Sequence, residues 1–240
     1  MTIDRWPARL DALQSISGLL LLLFIWGHMF FESSILLGKD AMYAVTRLFE
    51  GEPILGQPYP QLVSVAVALI TLLIAAHALL ALRKFPANYR QYSTFHHHMG
   101  GLRHPDTTLW YVQVVTGFAI FFLAPVHLYV LFVQPGQIGP YASADRVWSD
   151  GFWLLYILLL LSVHLHAGVG FYRLMMKWGW FGASTTAAYR RRTKLAMWCL
   201  IGFYLCLGSV SLVTYMKIGS EHADRAGERY IPTHARPGTS

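Results

Sequence analysis

Five stretches of this chain contain no Asp, Glu, Lys or Arg: Leu13–Phe31, Gln61–Leu82, Thr107–Val133, Gly151–Tyr172 and Leu195–Met216. A bilayer core is crossed by about 20 consecutive apolar residues in a helix, and each stretch meets that length. Lipid offers no partner to a backbone N–H or C=O, so such stretches must satisfy their own hydrogen bonds as helices. Only 13% of the 240 residues are charged, against about 25% in soluble domains. The spans take up most of the chain and leave no room for a separate soluble domain. The expectation is an all-α integral membrane protein, a bundle of five transmembrane helices. It forms one membrane domain over residues 1–240, with helices at about 12–38, 60–84, 106–135, 150–177 and 192–217, and a polar external tail over 218–240.

Lys and Arg outside the spans set the orientation. Twelve fall on the side of the N-terminus, the second loop and the fourth loop, and seven on the other side. The N-terminus is therefore expected in the cytoplasm and the C-terminus outside. The net charge of +7 is explained by these flanking residues rather than by a nucleic-acid surface. Asp4 and Asp11 interrupt the basic n-region of a signal peptide, and no small-x-small cleavage site follows, so the first span is read as retained. Cys199 and Cys206 form no CxxC or CxxCH and are read as two small buried apolar side chains. Pro125 stands inside the third span, where its ring removes a backbone hydrogen bond.

Histidine within a span is costly and marks function. At about 1.5 Å of rise per residue, His28 and His127 sit in the outer halves of two outward-running helices. His77 and His166 sit in the inner halves of two inward-running ones. The four sort into two pairs, each joining two helices at one depth. That suits two haems stacked across the membrane, each with bis-imidazole ligation. His164 and His166 point roughly 200° apart at about 100° per residue, so only one can serve. Small residues beside His166 (Ala167, Gly168, Gly170), beside His28 (Gly27) and before His77 (Ala75, Ala76) would admit a flat macrocycle, and His166 is taken as the ligand. The competing reading is polar side chains joining helices. Zinc is disfavoured because no cysteine or carboxylate completes either pair.

The segment LHAGVGFYRLMMKWGWF from Leu165, the four histidine positions and FEGEPI from Phe49 together resemble the di-haem cytochrome b subunit of fumarate reductases and succinate dehydrogenases of the single-anchor type. The resemblance covers essentially the whole chain. It implies two haem b groups, with His77 and His166 holding the inner one and His28 and His127 the outer one. It further implies an iron–sulfur subunit and an FAD-containing flavoprotein subunit as partners, a dimer of such heterotrimers, and a place in the bacterial cytoplasmic membrane among its lipids. Electrons would pass between membrane quinone, of the menaquinone type, and the iron–sulfur subunit.

By the same resemblance Glu50 is the acidic residue of the quinol site, where a carboxylate can take one of the protons released on oxidation. Glu52 is read as a solvated loop acid. Gln14, Ser15, Trp110 and Lys177 match positions around the inner haem's propionates. Arg173 and Arg146 are read as snorkelling anchors, Arg146 also matching an outer-side position. One departure stands out: the glutamate that some family members place two residues before the inner ligand is His164 here. An imidazole can relay protons, and the role of His164 stays open.

Two other readings remain: the cytochrome b anchor of another respiratory complex, a hydrogenase or formate dehydrogenase, and a proton-coupled transporter. No inverted repeat or pair of broken helices supports the transporter. With no flavin or nucleotide fingerprint, the chain is not expected to turn over fumarate or succinate alone. Its loops at 83–105 and 177–194, including the His96-His97-His98 run, are expected to dock the iron–sulfur partner.

Overall fold

The computed structural model describes residues 5–85, 88–91, 93–94, 97, 105–180 and 186–235. His96, His98, Arg103 and the residues from Arg236, on which expectations were placed, lie outside these. In order come α1 (Trp6–Glu32), a 3-10 turn (Ser33–Leu37), α2 (Lys39–Phe49), α3 (Glu52–Leu55) and α4 (Gln61–Leu82). They are followed by α5 (Pro105–Val133), α6 (Pro140–Trp148), α7 (Trp153–Trp178) and α8 (Ala187–His222), then short 3-10 turns at Ala223–Arg225 and Thr233–Ala235. Among the described residues five helices, α1, α4, α5, α7 and α8, are long and apolar enough to cross a membrane. They carry large exposed apolar side chains such as Leu72 (67% exposed) and Phe122 (69%). In water such a surface would aggregate. In lipid it is the face that contacts acyl chains. The chain is all-helical and crosses the membrane several times.

Each long helix contributes one segment to each of two compact units. The first comprises Met1–Leu23, Leu72–Phe121 and Ser162–Ile201; the second comprises Phe24–Thr71, Phe122–Leu161 and Gly202–Ser240.

In the first unit two carboxylates gather the basic helix ends. Asp11 pairs with Lys84 (2.8 Å), Arg83 (2.9 Å) and Lys177 (3.3 Å). Asp106 pairs with Lys194 (2.6 Å) and Arg190 (3.2 Å) and accepts a bond from the Tyr172 hydroxyl. These pairs explain why α1 and α8 run past their uncharged cores, starting at Trp6 and Ala187 instead of near 12 and 192. A partnered charge no longer opposes the helical turn that carries it.

In the second unit Ile35, Met42, Ala144, Val147, Tyr215 and Ile218 form a buried core. The first residues of the expected polar tail, 218–222, belong to α8. Helix α8 continues to His222, because Tyr215, Ile218 and His222 repeat on one face and all are buried. Gly219 lets that face close on α6: a Cβ there would meet the Ala144 carbonyl oxygen at 2.5 Å. Asp145 then accepts hydrogen bonds from His222 Nδ1 and from the Gly227 N–H, both at 2.9 Å. Farther on, Tyr230 and Thr233 donate to Asp40. The segment after the last span is thus tied back onto α6 and α2. Cys199 and Cys206 are exposed rather than buried. On a membrane-spanning helix that places them on the outer, apolar face.

Candidate functional site

His28 on α1 and His127 on α5 lie in the second unit, their ring centroids 6.3 Å apart and their planes at 58°. Two imidazoles on opposite faces of one iron, each bonded at about 2 Å, would place their ring centres at about that separation. Phe24 stacks on His28 at 5.7 Å and Tyr156 meets His127 edge-on at 5.5 Å, which holds both rings in place. His127 Nδ1 is buried with no hydrogen-bond partner among the described residues. A buried polar atom is rarely left so, and this one stands where a prosthetic group is expected.

His77 on α4 and His166 on α7 lie in the first unit. Ser17 Oγ is 3.0 Å from His77 Nδ1. His166 Nδ1 donates to the Gln113 carbonyl at 2.9 Å, with Thr116 Oγ1 at 3.5 Å. Engaging Nδ1 fixes the ring and leaves Nε2 to ligate, as metal-binding histidines are usually held. Among the described residues no three His, Cys, Asp or Glu side chains gather as a metal site. His28 and His127 are two imidazoles facing each other, and such a pair suits haem. His164 is itself buried, 3% exposed.

The small residues that matter are not those beside the histidines in sequence. Gly168 closes α7 onto Ile201 and Met197 of α8, and Gly170 faces Gln113. The rings rest instead on glycines of other helices. A Cβ at Gly18 would meet His77 Cε1 at 3.0 Å, and one at Gly117 would meet His166 Cε1 at the same distance. A signal for these existed. Ser17-Gly18 precedes His28 as Thr116-Gly117 precedes His127, each glycine ten residues before its histidine (28 − 18 and 127 − 117). One helix thus supplies a ligand candidate in one unit and a hydroxyl–glycine seat for a ring in the other.

Of the residues matched to the inner propionates, Lys177 and Ser15 meet, Lys177 Nζ donating to Ser15 Oγ at 3.1 Å. The Gln14 carbonyl accepts from Ser17 Oγ at 3.1 Å, and its side-chain Oε1 is buried without a partner among the described residues. Trp110 packs against Tyr111 (5.0 Å) and Phe85 (6.5 Å). Arg173 is held by the Gln113 side chain at 2.6 Å. Arg146 does not snorkel: it is 6% exposed and donates to the Gln137 carbonyl. The reason is that α6 buries it in the second unit's core rather than presenting it to the interface.

Glu50 caps the C-terminal end of α2 and is 4% exposed, unusual for an unpaired acid. It has a partner, Arg47, whose Nη1 donates to Oε2 at 2.7 Å. Glu52 is not merely solvated either, since its carboxylate is 3.6 Å from Arg47 Nε. Burial would lower the Arg47 pKa, but contact with Tyr43 and the charges of Glu50 and Glu52 outweigh it and hold the guanidinium above its ordinary value. Arg47 carried no sequence signal, since one arginine in an outer loop looks like any other.

Residues 88–208 match the family described as the succinate dehydrogenase/fumarate reductase transmembrane subunit. The chain is 47% identical over 217 residues to the fumarate reductase cytochrome b subunit of Helicobacter pylori strain J99, covering 90% of this chain and 84% of that one. It is 48% identical over 221 residues to the same subunit of Wolinella succinogenes, covering 92% and 86%. With five helices among the described residues long and apolar enough to cross a membrane, the facing His28 and His127 rings, and this likeness along nearly its whole length, the chain belongs to the family of transmembrane subunits of succinate dehydrogenases and fumarate reductases.

Proposed function

We propose that this chain is the membrane anchor and di-haem cytochrome b subunit of a quinol:fumarate reductase of the bacterial cytoplasmic membrane. It joins an iron–sulfur subunit and an FAD-containing flavoprotein subunit, and these heterotrimers pair as dimers. The observation that carries the reading is the His28–His127 pair, two imidazoles 6.3 Å apart on neighbouring helices. His77 and His166, each with Nδ1 engaged, are the second ligand pair. His28 with His127 and His77 with His166 would each hold a b haem, and these groups would supply one-electron transfer between the quinol and the iron–sulfur subunit. Lys177, Ser15, Gln14 and Trp110 would hold the inner group's propionates, with Lys177 the cation that would balance them.

The quinol, menaquinol by the family likeness, binds beside Glu50 in the unit that holds His28 and His127. Its oxidation releases protons, and the Glu50 carboxylate accepts one. Burial keeps bulk water from competing for that proton. With the N-terminus in the cytoplasm, Glu50 lies on the outer side of the membrane. Glu50→Gln keeps the shape and removes the base, and a general base contributes roughly 10²–10⁴-fold. In the intact complex, quinol-driven fumarate reduction is expected to fall by about that range. Haem content and dye-linked fumarate reduction, which bypass the site, should not change. Wild-type quinol turnover in Glu50→Gln would refute the assignment.

A further inference from the structure

Glu50 is one of three side chains that share a guanidinium. Arg47 Nη1 lies 2.7 Å from Glu50 Oε2, Arg47 Nε lies 3.6 Å from Glu52 Oε2, and Arg47 Cζ sits 4.8 Å over the Tyr43 ring. Tyr43, Arg47 and Glu50 follow one another on a single face of α2. Gly51, at φ 78, turns the chain so that Glu52 at the start of α3 returns to the same guanidinium. Only a residue tolerating the left-handed region makes that turn cheaply. The Glu50 backbone is fixed as well, its N–H donating to Thr46 and its carbonyl accepting from Tyr59. Oε2 is therefore taken, while Oε1 accepts no hydrogen bond among the described residues.

We propose that Arg47 is the positioning residue of the quinol site: it holds Glu50 by Oε2 and turns Oε1 toward the quinol hydroxyl. The proposal rests on Glu50 being the proton acceptor. A buried carboxylate without a cation is disfavoured, and the guanidinium offsets that cost. In each of the two one-electron steps of quinol oxidation one O–H bond breaks, its proton forms an O–H bond on Oε1, and the electron would pass to the haem that His28 and His127 would hold. Glu50 releases the first proton before it takes the second. Arg47 then faces a neutral acid, and Glu52 remains as its counter-charge. Tyr43, Glu50 and Glu52 are the titratable groups that the structure sets against Arg47. The trio of Arg47, Glu50 and Glu52 passes from a net charge of −1 to zero, so proton uptake never leaves the partly buried guanidinium without a counter-charge.

The test is quinol-driven fumarate reduction by the intact complex as a function of pH. In Arg47→Gln the acid limb of the profile should move to higher pH by roughly one to three units, since a lone buried carboxylate takes up protons more readily. Arg47→Lys keeps the charge but not the fork, so its limb should stay in place while turnover falls. Arg47→Gln added to Glu50→Gln should cost no further activity. A wild-type profile in Arg47→Gln, wild-type turnover in Arg47→Lys, or full additivity in the double variant would each overturn the proposal. If Arg47→Gln does not assemble with both haems, Arg47→Lys carries the test alone. Wild-type turnover in Glu50→Gln would instead sink the reading beneath the proposal. An inactive Glu50→Gln with a wild-type Arg47→Gln sinks only the role of Arg47.

Discussion

Gly117→Ala adds a single methyl group opposite a ligand candidate. Its Cβ would lie 3.0 Å from His166 Cε1 and 3.3 Å from Nδ1. Non-bonded carbons settle at about 3.5 Å or beyond, so the ring must retreat by about half an ångström. The same ring donates to the Gln113 carbonyl at 2.9 Å, and that retreat takes the bond to its limit, losing about 1 kcal/mol. Overpacking adds about 1–3 kcal/mol, while alanine in place of glycine returns about 1 kcal/mol of helix propensity. The net is about 1–3 kcal/mol against a ring in ligating position. At 1.4 kcal/mol per factor of ten, inner-haem retention should fall roughly 5- to 150-fold. Haem per complex after detergent purification, read with the reduced-minus-oxidised spectrum, measures it. The control is Gly202→Ala on α8, where a Cβ meets nothing within 4 Å. Full haem and an unchanged spectrum in Gly117→Ala would refute the seat, and an equal loss in Gly202→Ala would show that any helix glycine behaves so.

His127→Ala should lose the outer haem and keep the inner one, whereas His164→Ala should keep both; haem quantitation decides, and a haem lost from the His164 variant would show that the wrong histidine was chosen. Asp145→Ala strands the buried His222 Nδ1 and releases the exposed Gly227 N–H, each bonded to it at 2.9 Å, and should cost about 1–3 kcal/mol. A lower melting temperature and faster tryptic cleavage at Arg225 or Arg229 are the readouts, and a wild-type digestion pattern would count against the clasp.

Much of this protein was legible in its residues. Five uncharged stretches dictate five helices, because lipid leaves an unbonded backbone no alternative. Helical rise alone sets His28 and His127 at one depth, since depth in a span is a linear property of the chain, and their rings lie 6.3 Å apart. The rotation of a helix about its axis is not linear in that way. It decides which small residue faces which ring, so Gly168, two residues from His166, packs on Ile201, while Gly18 and Gly117, helices away in sequence, carry the rings. Likewise the apolar run ends near Met216, yet α8 reaches His222 because Ala144 and Asp145 of another helix receive its last turns. The Arg47 clamp on Glu50 depends on Gly51 bringing Glu52 back to the same guanidinium. Span number and depth follow from local chemistry; facing, clasping and pairing between distant residues come into being only when the helices pack.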